Sequence, residues 1–245
     1  MKYHYVWLLW SGAFLALWVL LYLARPAMRR EMIRVSAATS LLGLTEPIFV
    51  PEYWSPPSLF ELALRTGFDI ESLIFCFAIG GIGAVFYKAL ARQTFIPLPQ
   101  AERHTRLHRF HALALATPFV AFPPLYFLPW NPIYPGIAAL AVGGIANVLC
   151  RPDLRRATIL GGALFLGLYA VFMLLLVVFA PGYIEQVWNL ADLSGVILAG
   201  IPLEELAFGF AFGLYWSGLY EHFYWRATDV RTSSAFATHG AHHHD

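Results

Sequence analysis

Residues 67–80 read GFDIESLIFCFAIG, and residues 200–213 read GIPLEELAFGFAFG. Aligned without gaps, seven of the fourteen positions are identical: Gly67/Gly200, Glu71/Glu204, Leu73/Leu206, Phe75/Phe208, Phe77/Phe210, Ala78/Ala211 and Gly80/Gly213. A second echo lies upstream, RPAMRR at 25–30 and RPDLRR at 151–156, each closing an apolar stretch. Trp54 and Trp188 fall at nearly the same offset. Blocks repeated in the same order indicate an internal duplication, which governs how the rest is read. The element kept in both copies is a carboxylate followed by aromatics inside an apolar helix. An acid there is costly, so it is by default a functional hypothesis.

The chain is 59% hydrophobic and 13% charged, against about 25% charged in soluble domains. That is a membrane composition. Seven apolar stretches are candidate spans, at 5–24, 33–50, 69–90, 110–128, 133–149, 157–180 and 194–222. The expected fold is therefore all-α and integral to a membrane. Seven transmembrane helices form two parallel three-helix repeats, 1–95 and 131–226, joined by a basic segment and helix four at 96–130. The polar, His-containing tail at 227–245 is expected to be disordered. The first stretch lacks a small-residue cleavage site and is followed by Pro26, so it reads as a retained span.

With the N-terminus outside, fourteen of the sixteen Lys and Arg residues fall inside, and only Lys2 and Arg65 fall outside. This one-sided split predicts a cytoplasmic C-terminus in the cell's inner or plasma membrane. It accounts for the basic residues without nucleic acid. Cys76 and Cys150 fall toward opposite faces, which disfavours a disulfide. Tyr53, Trp54, Tyr183 and Trp188 lie in equivalent outer loops, where an interfacial belt is the plain reading.

Residues four apart share a helical face, so Glu71 projects with Phe75 and Glu204 with Phe208. Asp69, Ser72 and Glu205 sit close to those faces. Pro202 occupies the second copy's equivalent of Asp69 and can open the helix locally. A carboxyl group in a dry apolar cavity favours its neutral form. A neighbouring carboxylate in polar company stays ionised, and the two make an acid/base pair. Aromatic faces beside them stabilise a cation. Acid, base and rings in a lipid-embedded site describe proton-initiated isomerisation of an apolar polyene. The structural alternative is a buried Glu paired with Arg or bonded to a neighbouring helix.

The stretch GIPLEELAF is similar to the Pro-x-Glu-Glu motif of the integral-membrane lycopene cyclases, the fused or two-subunit type built from two three-helix units. RPAMRR, EYWSPP and GFDIES look like the first unit of that family, and the resemblance covers most of residues 1–225. It implies cyclisation of the acyclic ends of lycopene into β-ionone rings without net redox and without a cofactor. Glu204 or Glu205 would donate the proton and Glu71 would remove the ring proton. Asp69, Phe75, Phe208, Pro202 and Trp54 would surround the substrate. The first copy departs from the motif: Asp69-Ile70-Glu71-Ser72 lacks the proline and has one Glu.

A three-plus-one-plus-three chain also resembles a microbial rhodopsin, but the only lysines are Lys2 and Lys88, and the last span has none to hold retinal. His104, His108 and His111 share one helical face, and would bind a metal if they converged. A basic interfacial helix near anionic lipid heads is the preferred reading, so no metal is expected. Gly80-Gly81-Ile82-Gly83 and Gly143-Gly144 follow no strand and indicate close helix packing rather than nucleotide binding. A proton-coupled carrier and a carotenoid-binding protein without catalysis remain the alternatives.

Overall fold

The computed structural model describes residues 3–103 and 105–228. His104 and the histidines of the tail lie outside the described residues. Seven helices of twelve residues or more carry the fold: α1 (Val6–Ala24), α2 (Arg29–Ser40), α3 (Ile70–Ala91), α4 (His111–Tyr126), α5 (Ile133–Cys150), α6 (Arg155–Phe179) and α7 (Leu203–Trp216). Among the described residues, four stretches are long and apolar enough to cross a bilayer: α1, α3, α5, and α6 with the turn before it. The surface is apolar, with Leu9, Leu20, Leu149, Val178 and Phe179 all exposed. Glu31, Glu71, Lys88, Arg151 and Glu221 are buried instead. This inversion suits a protein whose solvent is lipid, where charges turn inward and pair.

Within each half, the last helix is the central one. α3 packs along α1 and α2, and α7 packs along α5 and α6. The glycine runs make these contacts close. A Cβ on Gly80 would lie 2.3 Å from Thr39 of α2, and one on Gly213 would lie 2.5 Å from Phe165 of α6. The Arg-Pro echoes adopt one conformation. Arg25 has φ −126° and ψ 71°, and Arg151 has φ −127° and ψ 73°. Each then opens a single 3₁₀ turn, Pro26–Met28 or Pro152–Leu154, because proline fixes φ and lacks an N–H. Each arginine also reaches the chain beyond its own half's third helix or at its end: Arg25 Nη2 donates to Ala89 O at 2.8 Å, and Arg151 Nη2 to Arg226 O at 2.6 Å.

The halves meet through a backbone bridge between Trp54 and Trp188. Ser55 N donates to Val187 O at 2.8 Å and Asn189 N to Tyr53 O at 2.9 Å. The two bonds are interchanged by a two-fold operation, since 53/187, 54/188 and 55/189 share one offset. Both indoles are buried and their ring centroids are 5.3 Å apart. The tryptophans thus join the halves, and Tyr53 and Tyr183 are buried with them. This corrects the expectation of an interfacial belt at these four positions.

Two departures from the expected spans have local causes. The second is helical but broken: α2 passes through a 3₁₀ stretch, Leu41–Thr45, into a short turn, Glu46–Phe49. The start of the seventh is not helical. Ile197–Leu198 (β2) pairs with Ile201–Pro202 (β3) in a tight hairpin, with Gly200 at φ +85°. Gly67 takes φ +76° at the equivalent place before α3. Glycine enters this left-handed region without steric cost, which explains its presence in both copies. At the other end, Phe95–Pro97 (β1) pairs with Arg226–Thr228 (β4), fastening the chain after α3 to the chain after α7.

Candidate functional site

The repeated acids Glu71 and Glu204 both lie in the first turn of their helices and both fold back to the loop before them. Glu71 Oε1 accepts from Leu59 N at 2.7 Å. Glu204 Oε1 accepts from Ser194 N at 2.8 Å and from the Tyr134 hydroxyl at 2.7 Å. Each keeps one buried carboxylate oxygen without a partner. The two are equivalent in position, but neither borders the large cavity described below. Asp69 caps α3 by accepting from Ser72 N and, at 3.1 Å, from Ser72 Oγ. Pro202 precedes α7 as part of β3 rather than interrupting a helix, and it too stands away from the cavity.

Glu205, one residue on, points the other way. Its carboxylate is buried and accepts three hydrogen bonds, from the Tyr53 hydroxyl, from the Tyr169 hydroxyl at 2.5 Å and from Trp188 Nε1 at 2.7 Å. Tyr53 belongs to the first half; Tyr169 and Trp188 belong to the second. A carboxylate held by three donors from separate elements is fixed in direction, and its charge is compensated without a cation.

Glu205 borders a cavity of about 330 Å³ between the two halves. The walls are largely apolar and include the rings of Trp7, Trp54, Phe75, Phe208, Phe212 and Trp216. Phe75 and Phe208, the repeat-related pair, both face it, as does Trp54. Phe75 meets Phe14 edge-on at 5.3 Å and Phe208 meets Tyr169 edge-on at 5.9 Å, so the rings are braced. A second acid borders the same space. Glu46 is buried, and its Oε1 has no hydrogen-bond partner. The cavity reaches the surface beside Phe119, which is 58% exposed, between Phe49, α4 and Gly136 of α5.

Of the expected residues, the fold brings Glu205, Phe75, Phe208 and Trp54 to one cavity and leaves Glu71, Glu204, Asp69 and Pro202 at the starts of α3 and α7, away from it. Sequence reading missed Glu46, Tyr53, Tyr169 and Trp188 as site residues. Glu46 carried a usable signal, an acid at the end of an apolar span beside Pro47. The tyrosines carried none, because Tyr53 reaches Glu205 across 152 residues of chain.

Residues 131–223, which hold α5 to α7, match the family model for lycopene cyclase. The match spans less than half of the chain. It supports a lycopene cyclase family, a carotenoid cyclase function, an apolar carotenoid substrate and membrane association. No curated protein matches the chain, and no solved structure does.

Proposed function

We propose that the chain is a membrane carotenoid cyclase that closes an acyclic polyene end into a ring by proton transfer, with no net redox change. The observation that carries this reading is the cavity itself: two carboxyl groups, Glu46 and Glu205, in a largely apolar wall rich in aromatic rings. Its volume of about 330 Å³ lies near the small end of ligand pockets, which suits one end group rather than a whole polyene. The rest of the polyene would lie along the lipid-facing opening beside Phe119.

In this mechanism the Glu46 carboxyl donates its proton to the terminal carbon–carbon double bond. Its unpartnered buried oxygen favours the neutral acid, because an unpaired charge in apolar surroundings is costly. The tertiary carbocation is attacked by the neighbouring alkene, closing the six-membered ring. The cation is held by the faces of Trp54, Phe75 and Phe208 and by the fixed charge of Glu205. Glu205 then takes the ring proton, and one proton has entered for each that leaves. Glu71 and Glu204 act as latches that set the outer loops, so that Trp54 and Trp188 meet.

The like conformations at Arg25 and Arg151, the like packing of α3 and α7, and the two-fold bridge support seven spans arranged as two parallel repeats. The basic residues near Arg25, Lys88 and Arg151 gather at the end of the bundle away from the tryptophan bridge, which supports an outer N-terminus and a cytoplasmic C-terminus. The reading is tested by expressing the chain in cells that make lycopene and chromatographing the pigments. Cyclic product is expected, and membranes holding the protein should put one deuterium into each new ring when they convert unlabelled lycopene in heavy water. Unchanged lycopene, or rings without deuterium, would reject it.

A further inference from the structure

At the far end of α5 from the cavity, three metal-ligating side chains converge. His108 ends the 3₁₀ turn Arg106–His108, His111 opens α4, and Cys150 closes α5. Their ligand atoms all lie within 4.8 Å of one another. Cys150 Sγ is 3.7 Å from His108 Nδ1 and 3.8 Å from His111 Nδ1. A third imidazole stands beside them: His222 Nε2 is 3.0 Å from His111 Nδ1. His222 is completely buried, and its Nδ1 has no partner. None of the four residues borders the cavity.

We propose that His108, His111 and Cys150 form a structural site for a borderline-soft divalent cation, zinc foremost, with His222 beside His111. Zinc takes thiolate at about 2.3 Å and imidazole at about 2.0–2.1 Å in a tetrahedron, which separates a sulfur from a nitrogen ligand by about 3.5 Å. The two sulfur–nitrogen distances lie close to that edge. No carboxylate belongs to the set, and that donor chemistry selects against magnesium and calcium. The neighbouring charge of Arg151 is already engaged by Asp153 at 2.8 and 2.6 Å. Trp225 stacks on the His111 ring at 3.7 Å and stands edge-on to His108 at 5.2 Å, holding both rings in place.

The position gives the site a purpose. It joins the start of α4 to the end of α5, helices that already pack along each other, and ties both to the segment after α7. A cation there would fasten the linking helix to the second half, independently of the chemistry in the cavity.

The test uses the full chain in detergent, with tail residues His239, His242, His243 and His244 changed to Ala so that they bind nothing. After metal stripping, the protein is dialysed against Zn²⁺ and then, separately, titrated with Co²⁺. One zinc per chain is expected, undisturbed by millimolar Mg²⁺, and cobalt should give a thiolate-to-metal charge-transfer band. Cys150→Ser should abolish that band. His108→Ala, in a half-buried turn that tolerates truncation, should weaken zinc binding by about 100-fold or more, since losing outer-shell partners alone costs 10–100-fold. A parent protein with no charge-transfer band, or zinc binding unchanged in His108→Ala, would overturn the proposal. Cyclic pigment from the His108→Ala variant would show that the reading of the cavity stands by itself.

Discussion

Replacing Glu205 by Gln separates charge from shape at the centre of the cavity. Glu205 Oε1 receives Tyr53 and Trp188, and Oε2 receives Tyr169. A Gln oxygen in the Oε1 place keeps the first two donors. Its NH₂ then faces Tyr169, whose hydroxyl can turn from donor to acceptor. At most one hydrogen bond to a charged group is lost, about 1.5–3 kcal/mol, and part of that returns through the amide. The fold therefore survives. The chemistry does not, because an amide carries no negative charge opposite the carbocation and accepts no ring proton. Loss of general-base action alone costs about 10²–10⁴-fold. The assay is ring formation in lycopene-producing cells, normalised to protein level in the membrane. Cyclisation near the parental rate at equal protein level would refute the role of Glu205, and collapse of the protein level would refute the hydrogen-bond accounting.

The remaining expectations can be checked in the same cells or in detergent. Glu46→Gln should abolish ring formation with little change in thermal stability, whereas Glu71→Gln, which keeps an oxygen for Leu59 N, should retain most activity on the pigment chromatogram. Gly136→Leu should slow product formation with the fold intact, because a Cβ at that mouth position meets only Phe49, at 3.8 Å, while the longer side chain enters the opening. Gly80→Ala should lower stability by about 1–3 kcal/mol, read as a fall in unfolding temperature, because the new methyl overlaps Thr39. Lys88→Met should cost about 3–5 kcal/mol by the same measurement, because it leaves Glu31 and Glu221 buried together without their shared cation.

Much of the helical framework was legible because lipid imposes a simple rule on sequence. The stretches expected at 5–24, 69–90 and 157–180 became Val6–Ala24, Ile70–Ala91 and Arg155–Phe179. Hydropathy failed at 194–222 because it registers apolarity and not backbone shape. Ile197, Leu198 and Ile201 are as apolar in a hairpin as in a helix, and the left-handed turn at Ala199 and Gly200 decides between them. The duplication drew attention to the first turns of α3 and α7, where Glu71 and Glu204 hold loops while the neighbouring Glu205 borders the cavity. A feature preserved in both copies is what both copies need, and both need a loop tied to a helix. Glu205 acquires its setting only through Tyr53 and Tyr169, side chains supplied by distant helices and loops.

In the gapless alignment of the two copies, Glu205 falls opposite Ser72. Ser72 borders the same cavity, where its hydroxyl bonds Asp69. On the proposed reading, the copies repeat the acids that hold the loops, while Glu205 gives the reactive centre one pole only. A polyene with two identical ends would meet a single reactive pole and present one end at a time. The molecule closed at one end must leave, turn end for end and return before the other can close. Early in a time course, or when enzyme is scarce, the half-closed pigment should accumulate ahead of the fully closed one, and the ratio of the two becomes a matter of enzyme dosage.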